Sequence, residues 1–189
     1  PLCPNLSATA ASGNEDTAIP LAIAASLADT DGSETLSIAV TGVPSGASLS
    51  AGIHNPDGSW TLTPAQLTGL SLSPPANWSG SFNLTVTATS SENGTTASQV
   101  VTLPVTIAGV ADAPTLSVSA ASGTEDNPVA LAIVSALVDT DGSESLSIRI
   151  SGLPGGASLS AGTQNPDGSW TLTSPQLTGL TLIPAANWS

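Results

Sequence analysis

The stretch Phe82-Asn-Leu-Thr-Val-Thr-Ala-Thr89 alternates apolar and polar side chains without a break. Successive side chains of a strand point to opposite faces, so Phe82, Leu84, Val86 and Ala88 share one face and Asn83, Thr85, Thr87 and Thr89 the other. The same period returns in Val101, Leu103, Val105 and Ile107 against Thr102, Pro104 and Thr106. It returns again in Leu36, Ile38 and Val40 against Ser37, Ala39 and Thr41. Each segment presents one buried and one wet face. Shorter strands are expected at 6–10, 19–23, 47–51, 60–63 and 70–73, separated by turn clusters such as Val43-Pro-Ser-Gly46, Asn55-Pro-Asp-Gly58 and Glu92-Asn-Gly94. This many short strands in about 100 residues predicts an all-β, immunoglobulin-like or cadherin-like sandwich.

The pattern occurs twice. Leu6-Ser-Ala-Thr-Ala-Ala-Ser-Gly-Asn-Glu-Asp16 returns as Leu116-Ser-Val-Ser-Ala-Ala-Ser-Gly-Thr-Glu-Asp126, an offset of 110 residues. The same offset relates Asp29-Thr-Asp-Gly-Ser-Glu34 to Asp139-Thr-Asp-Gly-Ser-Glu144, and Asn55-Pro-Asp-Gly-Ser-Trp60 to Asn165-Pro-Asp-Gly-Ser-Trp170. Between 4–79 and 114–189 only 25 of 76 positions differ, with no gap. So long a period means one domain per repeat, not a short solenoid coil. Expected domains are 1–113 and 114–189, the second lacking its last two strands. Such a sandwich would bare an edge and an apolar face, so either the sequence is an excerpt or a neighbouring chain fills the gap. The absence of Met points to an internal piece of a longer polypeptide.

Composition narrows the function. Hydrophobic residues make up 40% of the 189, enough for real cores, but aromatics are only 3%, so the cores must be thin and aliphatic. Fourteen acids against one base, Arg149, give a net charge of −13. That leaves no basic patch for nucleic acid or an anionic membrane, and cations are the natural counterpart. No apolar run approaches the ~18 residues of a membrane span, and direct membrane insertion is not expected. The lone Cys3 cannot form an internal disulfide, so an extracellular protein of this kind needs another staple, and bound metal is the candidate.

Ten of the fourteen acids fall in two motifs present in both copies: Glu15, Asp16, Asp29, Asp31 and Glu34, then Glu125, Asp126, Asp139, Asp141 and Glu144. Like charges gathered in loops repel, and a bound cation relieves them. In a sandwich, Glu15-Asp16 lies at the end from which the chain exits and Asp29-Thr-Asp31 at the end by which it enters. Acids therefore converge at a junction: Glu15 and Asp16 from one repeat, Asp112 from the link, and Asp139, Asp141 and Glu144 from the next. Asp57 and Asp167 belong to Asp-Gly turns and need no ion.

The phrases Gly-x-Glu-Asp, Asp-Thr-Asp-Gly-Ser-Glu, Asn-Pro-Asp-Gly-Ser-Trp-Thr-Leu-Thr and Pro-Ala-Asn-Trp resemble the cadherin-like tandem repeats of giant type I-secreted bacterial adhesins, over essentially the whole chain. The resemblance implies a sandwich fold, Ca²⁺ between domains, an extracellular location, and a role as an extender holding adhesive tips away from the cell, with neighbouring repeats as partners. Two departures stand out. Leu2 and Cys3 occupy the positions of Asp112 and Ala113, so the site before the first repeat lacks its link acid. The acid triplet of the later cadherin loop is also absent, and Asn77 stands there instead.

No catalytic constellation is present. His54 is replaced by Gln164 in the second copy, and one His and one Cys cannot build a zinc site or a dyad. No enzyme activity is expected. Two rival functions remain: a ligand- or glycan-binding adhesive module using Trp60, Trp78, Trp170 or Trp188, which are expected instead to pack in the core, and a filament subunit exchanging strands with other copies of the chain.

Overall fold

The computed structural model describes residues 1–29, 31–124 and 126–186. The protein is all-β and divides into two compact units, Pro1–Val110 and Ala111–Ser189. Among the described residues the helical elements are two single 3-10 turns, Pro64–Leu67 and Ser174–Leu177.

The first unit runs β1 (Asn5–Ala8), β2 (Ala11–Asn14), β3 (Ile19–Pro20), β4 (Ile23–Ser26), β5 (Thr35–Thr41), β6 (Ser48–Leu49), β7 (Ile53–His54), β8 (Trp60–Leu62), β9 (Ser71–Ser73), β10 (Gly80–Glu92) and β11 (Thr95–Ala108). One sheet has the order β2-β11-β10-β5-β8-β7; β1-β4 and β3-β9-β6 form two others. Their inward residues meet in a single core: Ile38, Val40, Leu84, Val86, Leu103 and Val105 from the six-stranded sheet, with Leu6, Ile19, Ile23, Leu49 and Leu72 from the others. Burying each aliphatic side chain contributes about 1.5–3 kcal/mol. The arrangement is sandwich-like, and β10 and β11 are its longest strands. They pair over thirteen positions from Gly80↔Ile107 to Glu92↔Thr95. Asn93 and Gly94 form the two-residue turn with φ of 47° and 79°, the positive pair whose twist matches that of the flanking strands.

The segment expected as one strand at 6–10 behaves otherwise. Asn5–Ala8 pairs antiparallel with β4, after which the chain crosses to the other sheet, where Ala11–Asn14 pairs parallel with β11. Gly13 makes the crossing fit, because a Cβ there would lie 2.7 Å from Ile19 Cγ1. Strand β7 was also not expected, and β10 and β11 extend beyond the segments at 82–89 and 101–107 whose alternation marks them.

The second unit runs β12 (Thr115–Val118), β13 (Val129–Ala130), β14 (Ile133–Ala136), β15 (Ser147–Ile150), β16 (Ser158–Leu159), β17 (Thr163–Gln164), β18 (Trp170–Thr173) and β19 (Thr181–Ile183). Its sheets, β12-β14, β13-β19-β16 and β15-β18-β17, copy pairings of the first unit. The sequence holds no positions equivalent to β10 and β11. Its buried core is correspondingly small: Ile148, Leu159, Leu172, Leu177 and Leu180.

Leu84→Ala, which empties a fully buried position, is expected to destabilise the first unit by about 2–5 kcal/mol in urea unfolding. Leu116→Ser, on an exposed side chain, should cost less than about 0.5 kcal/mol. Equal effects from the two would contradict the burial described.

Candidate metal-ligating carboxylates

In the first unit the β10–β11 ladder separates two acidic poles. At about 3.3 Å per residue, the thirteen residues of β10 span about 40 Å. At the pole near Ile107, Glu15 follows β2 directly and its N–H donates to Ala108 O at 3.0 Å. Glu15 Oε1 accepts the Val110 N–H at 2.6 Å, while Oε2 is buried with no hydrogen-bond partner. Beside it, Asp16 and Asn77 both take the left-handed conformation, with φ of 57° and 51°, a region that Asp and Asn tolerate better than other side chains. Asp16 Oδ1 accepts the Asn77 N–H at 2.9 Å.

The opposite pole gathers Asp29, Asp31, Glu34 and Glu92. Asp29 Oδ1 accepts the Asp31 N–H at 3.2 Å, and Asp31 Oδ1 accepts the Ser33 N–H at 2.9 Å. Ser33 Oγ lies 2.6 Å from Asp31 Oδ1 and 2.9 Å from Glu92 Oε1. A hydroxyl has one proton, so it satisfies only one of these two carboxylates at a time. Glu34 Oε1 accepts the Leu2 N–H at 2.9 Å, and Oε2 is again buried without a partner. The Glu34 side chain is only 1% exposed.

The second unit repeats this grip. Glu144 Oε1 accepts the Asp112 N–H at 2.5 Å and Oε2 is buried without a partner. Asp139, also buried, accepts the Asp141 N–H at 2.8 Å on Oδ1 and the Ser143 hydroxyl at 3.1 Å on Oδ2. Asp141 Oδ1 accepts the Ser143 N–H at 2.7 Å. Asp126 keeps the left-handed φ of its counterpart, 58°. Glu125 lies outside the described residues.

Three glutamates therefore share one geometry: an oxygen on a backbone N–H and a second oxygen sealed from water. Burying a carboxylate oxygen without a donor or cation is costly. Carboxylate oxygens of this kind suit a hard divalent cation such as Ca²⁺ better than metals that prefer nitrogen or sulfur. Glu92 escaped the sequence reading. Its signal was strand order: β10 lies beside β5 with Ser91 opposite Thr35, which brings Glu92 next to Glu34.

The turn acids are self-contained. Ser59 donates its N–H and hydroxyl to Asp57 Oδ1 at 3.0 and 2.6 Å, and Ser169 does the same for Asp167. The serine hydroxyl first, then its N–H, hold both carboxyls below the usual range, with Arg149 adding to the effect at Asp167. Asp31 is lowered in the same way by Ser33. His54 stacks on Trp60 with ring centroids 4.9 Å apart. Trp60, Trp78 and Trp170 are half-buried against the cores, and Trp188 lies outside the described residues. No helix among the described residues is long and apolar enough to cross a membrane. No protein-family model matches the chain, and no curated protein matches it.

Because the Asp57 pKa is depressed in the folded state, the stability it contributes is complete above the ordinary value of 3.8 and fades as pH falls through the lower folded value. Asp57→Asn should therefore lower the melting temperature more at pH 7 than at pH 2, the difference narrowing as pH falls below 3.8. An equal loss at both pH values would show that the charge is not what the turn uses.

Proposed function

We propose that this protein is a segment of an extracellular tandem array of immunoglobulin- or cadherin-like repeats, in which Ca²⁺ at successive junctions converts a flexible string into a stiff extender. The reading rests on one observation above others: Glu15, Glu34 and Glu144 each hold a backbone N–H with one oxygen and keep the other buried with no donor. A divalent cation supplies the missing charge complement. Repetition supports the same reading, since the Glu-Asp and Asp-Thr-Asp-Gly-Ser-Glu motifs are unchanged between copies whereas His54 is not. The proposed ligands are Glu15 and Asp16 of one repeat, Asp112 of the link, and Asp139, Asp141 and Glu144 of the next. Asp29, Asp31 and Glu34 belong to the preceding junction, and Glu125 and Asp126 to the following one. The role is mechanical and requires no catalysis. Neighbouring repeats are the immediate partners, and adhesion to a surface belongs to other parts of such a polypeptide.

Extracellular modules bind Ca²⁺ with a Kd of about 10⁻⁴–10⁻³ M. For one site, about 10 mM Ca²⁺ then stabilises the folded state by about 1.4–2.7 kcal/mol, read as a rise in melting temperature that a chelator reverses. Asp139→Asn with Asp141→Asn should abolish most of that rise, and small-angle scattering should show the chain becoming more flexible in chelator. Identical melting and scattering with and without Ca²⁺ would remove the basis of the proposal.

A further inference from the structure

Strand β11 offers one edge to β10 and the other, over 105–108 only, to β2. The two-residue turn makes Glu92 and Thr95 a hydrogen-bonded pair, and such pairs alternate along an antiparallel ladder. Odd-numbered residues of β11 therefore spend their N–H and C=O groups on β10, and even-numbered ones point theirs away from it. Three observations agree. Ala108 O accepts the Glu15 N–H, Ser98 O faces the Cys3 thiol at 3.3 Å, and Pro104, which has no N–H, sits at an even position. Thr96, Ser98, Val100 and Thr102 are exposed, and no strand among the described residues lies beside them. The edge is open because the chain crosses between sheets at Thr9 and Ala10, leaving Asn5–Ala8 on β4 instead of on β11.

We propose that this edge pairs with the same edge of a second copy of the chain, joining their two six-stranded sheets side by side. The strand is self-complementary. A two-fold axis through Ser98 sets Ser98 against Ser98 and Thr96 against Val100. Each facing residue then has both an N–H and a C=O to exchange, about six main-chain hydrogen bonds in all. In that register Val105, where β2 takes over the edge, falls beyond the second copy's Asn93-Gly94 turn, so β2 does not obstruct the pairing. Charge selects the same seam. The net charge of −13 keeps copies apart elsewhere, but Thr95–Ala108 holds no charged residue, and the Lys or inward charge that commonly guards an exposed edge is absent. A basic peptide would find no acid along this strand to hold it. Pairing also covers Val100, which is 58% exposed in the single chain. The Cys3 thiol is a weak donor that a strand N–H displaces from Ser98 O. Main-chain hydrogen bonds along an open edge are what strand addition uses, and here they need neither Ca²⁺ nor the carboxylates of the two poles.

The test compares amide exchange of the chain at micromolar and millimolar concentration. Thr96, Ser98 and Val100 should slow by about tenfold at the higher one, while Ala97 and Gln99, already bonded to β10, should not change. Val100→Pro removes an outward N–H that β10 does not use and should abolish the effect. Val100→Glu, which leaves the backbone intact, should weaken it by like-charge repulsion across the axis. In a Cys3→Ser chain, Ser98→Cys should cross-link two copies by a disulfide, since facing Cα atoms stand about 5.5 Å apart. Thr102→Cys should not, because its two copies lie about 27 Å apart in this register. Exchange independent of concentration, or equal cross-linking at both positions, would overturn the inference. So would dimers that survive Val100→Pro and protect 115–118 instead, since the contact would then lie on the second unit.

Discussion

The ladder between β10 and β11 is the constraint on which the first unit depends. Thirteen paired positions closed by the positive-φ Asn93-Gly94 turn make a twisted ribbon long enough to touch both acidic poles. One edge of the ribbon accepts β5 and the other accepts β2, while its apolar face supplies Leu84, Val86, Leu103 and Val105 to the core. The second unit, which differs from the first at 25 of the 76 aligned positions, has no such ribbon among its described residues. Its β15 has one partner, its copy of β2 forms no strand, and its core shrinks to five buried aliphatic residues. A strand of four residues is not stable by its own propensity; it exists where a neighbour satisfies its backbone groups and covers its face.

Charge is the second constraint. With fourteen acids and one base, internal ion pairing cannot neutralise the chain, and the single Arg149 is already engaged with Asp167. Most carboxylates are instead satisfied by nearby N–H and hydroxyl groups, as at Asp57 and Asp167. The buried glutamates are the exception. Each spends one oxygen on a backbone N–H at Leu2, Val110 or Asp112, near an end of its repeat, and has no donor for the other. The N–H groups that these glutamates hold thus lie at Leu2, Val110 and Asp112, close to the ends of the two units.

Several of these features were legible in the sequence for identifiable reasons. Alternation over six or more residues marks β5, β10 and β11 because a half-buried strand imposes period two on its side chains. The turn at Asn93-Gly94 and the capping roles of Asp57 and Asp167 follow from local chemistry alone. Other features left no local trace. Ala-Ser-Gly reads the same in β2 and at 121–123, yet only one is a strand. Glu92 reads as a residue beside a turn until the pairing of β10 with β5 carries it to Glu34 and Ser33.

The sequence by itself determined the all-β class, the 110-residue repetition and the concentration of ten acids in two loop motifs, because each is a matter of composition and spacing along the chain. Only the tertiary structure decided which glutamate oxygens are buried without a donor, which strands have partners on both edges, and which apolar face is left uncovered. Those outcomes depend on groups far apart in sequence meeting across a sheet. No local preference encodes them, since burial and pairing are properties of neighbours and not of the residue itself.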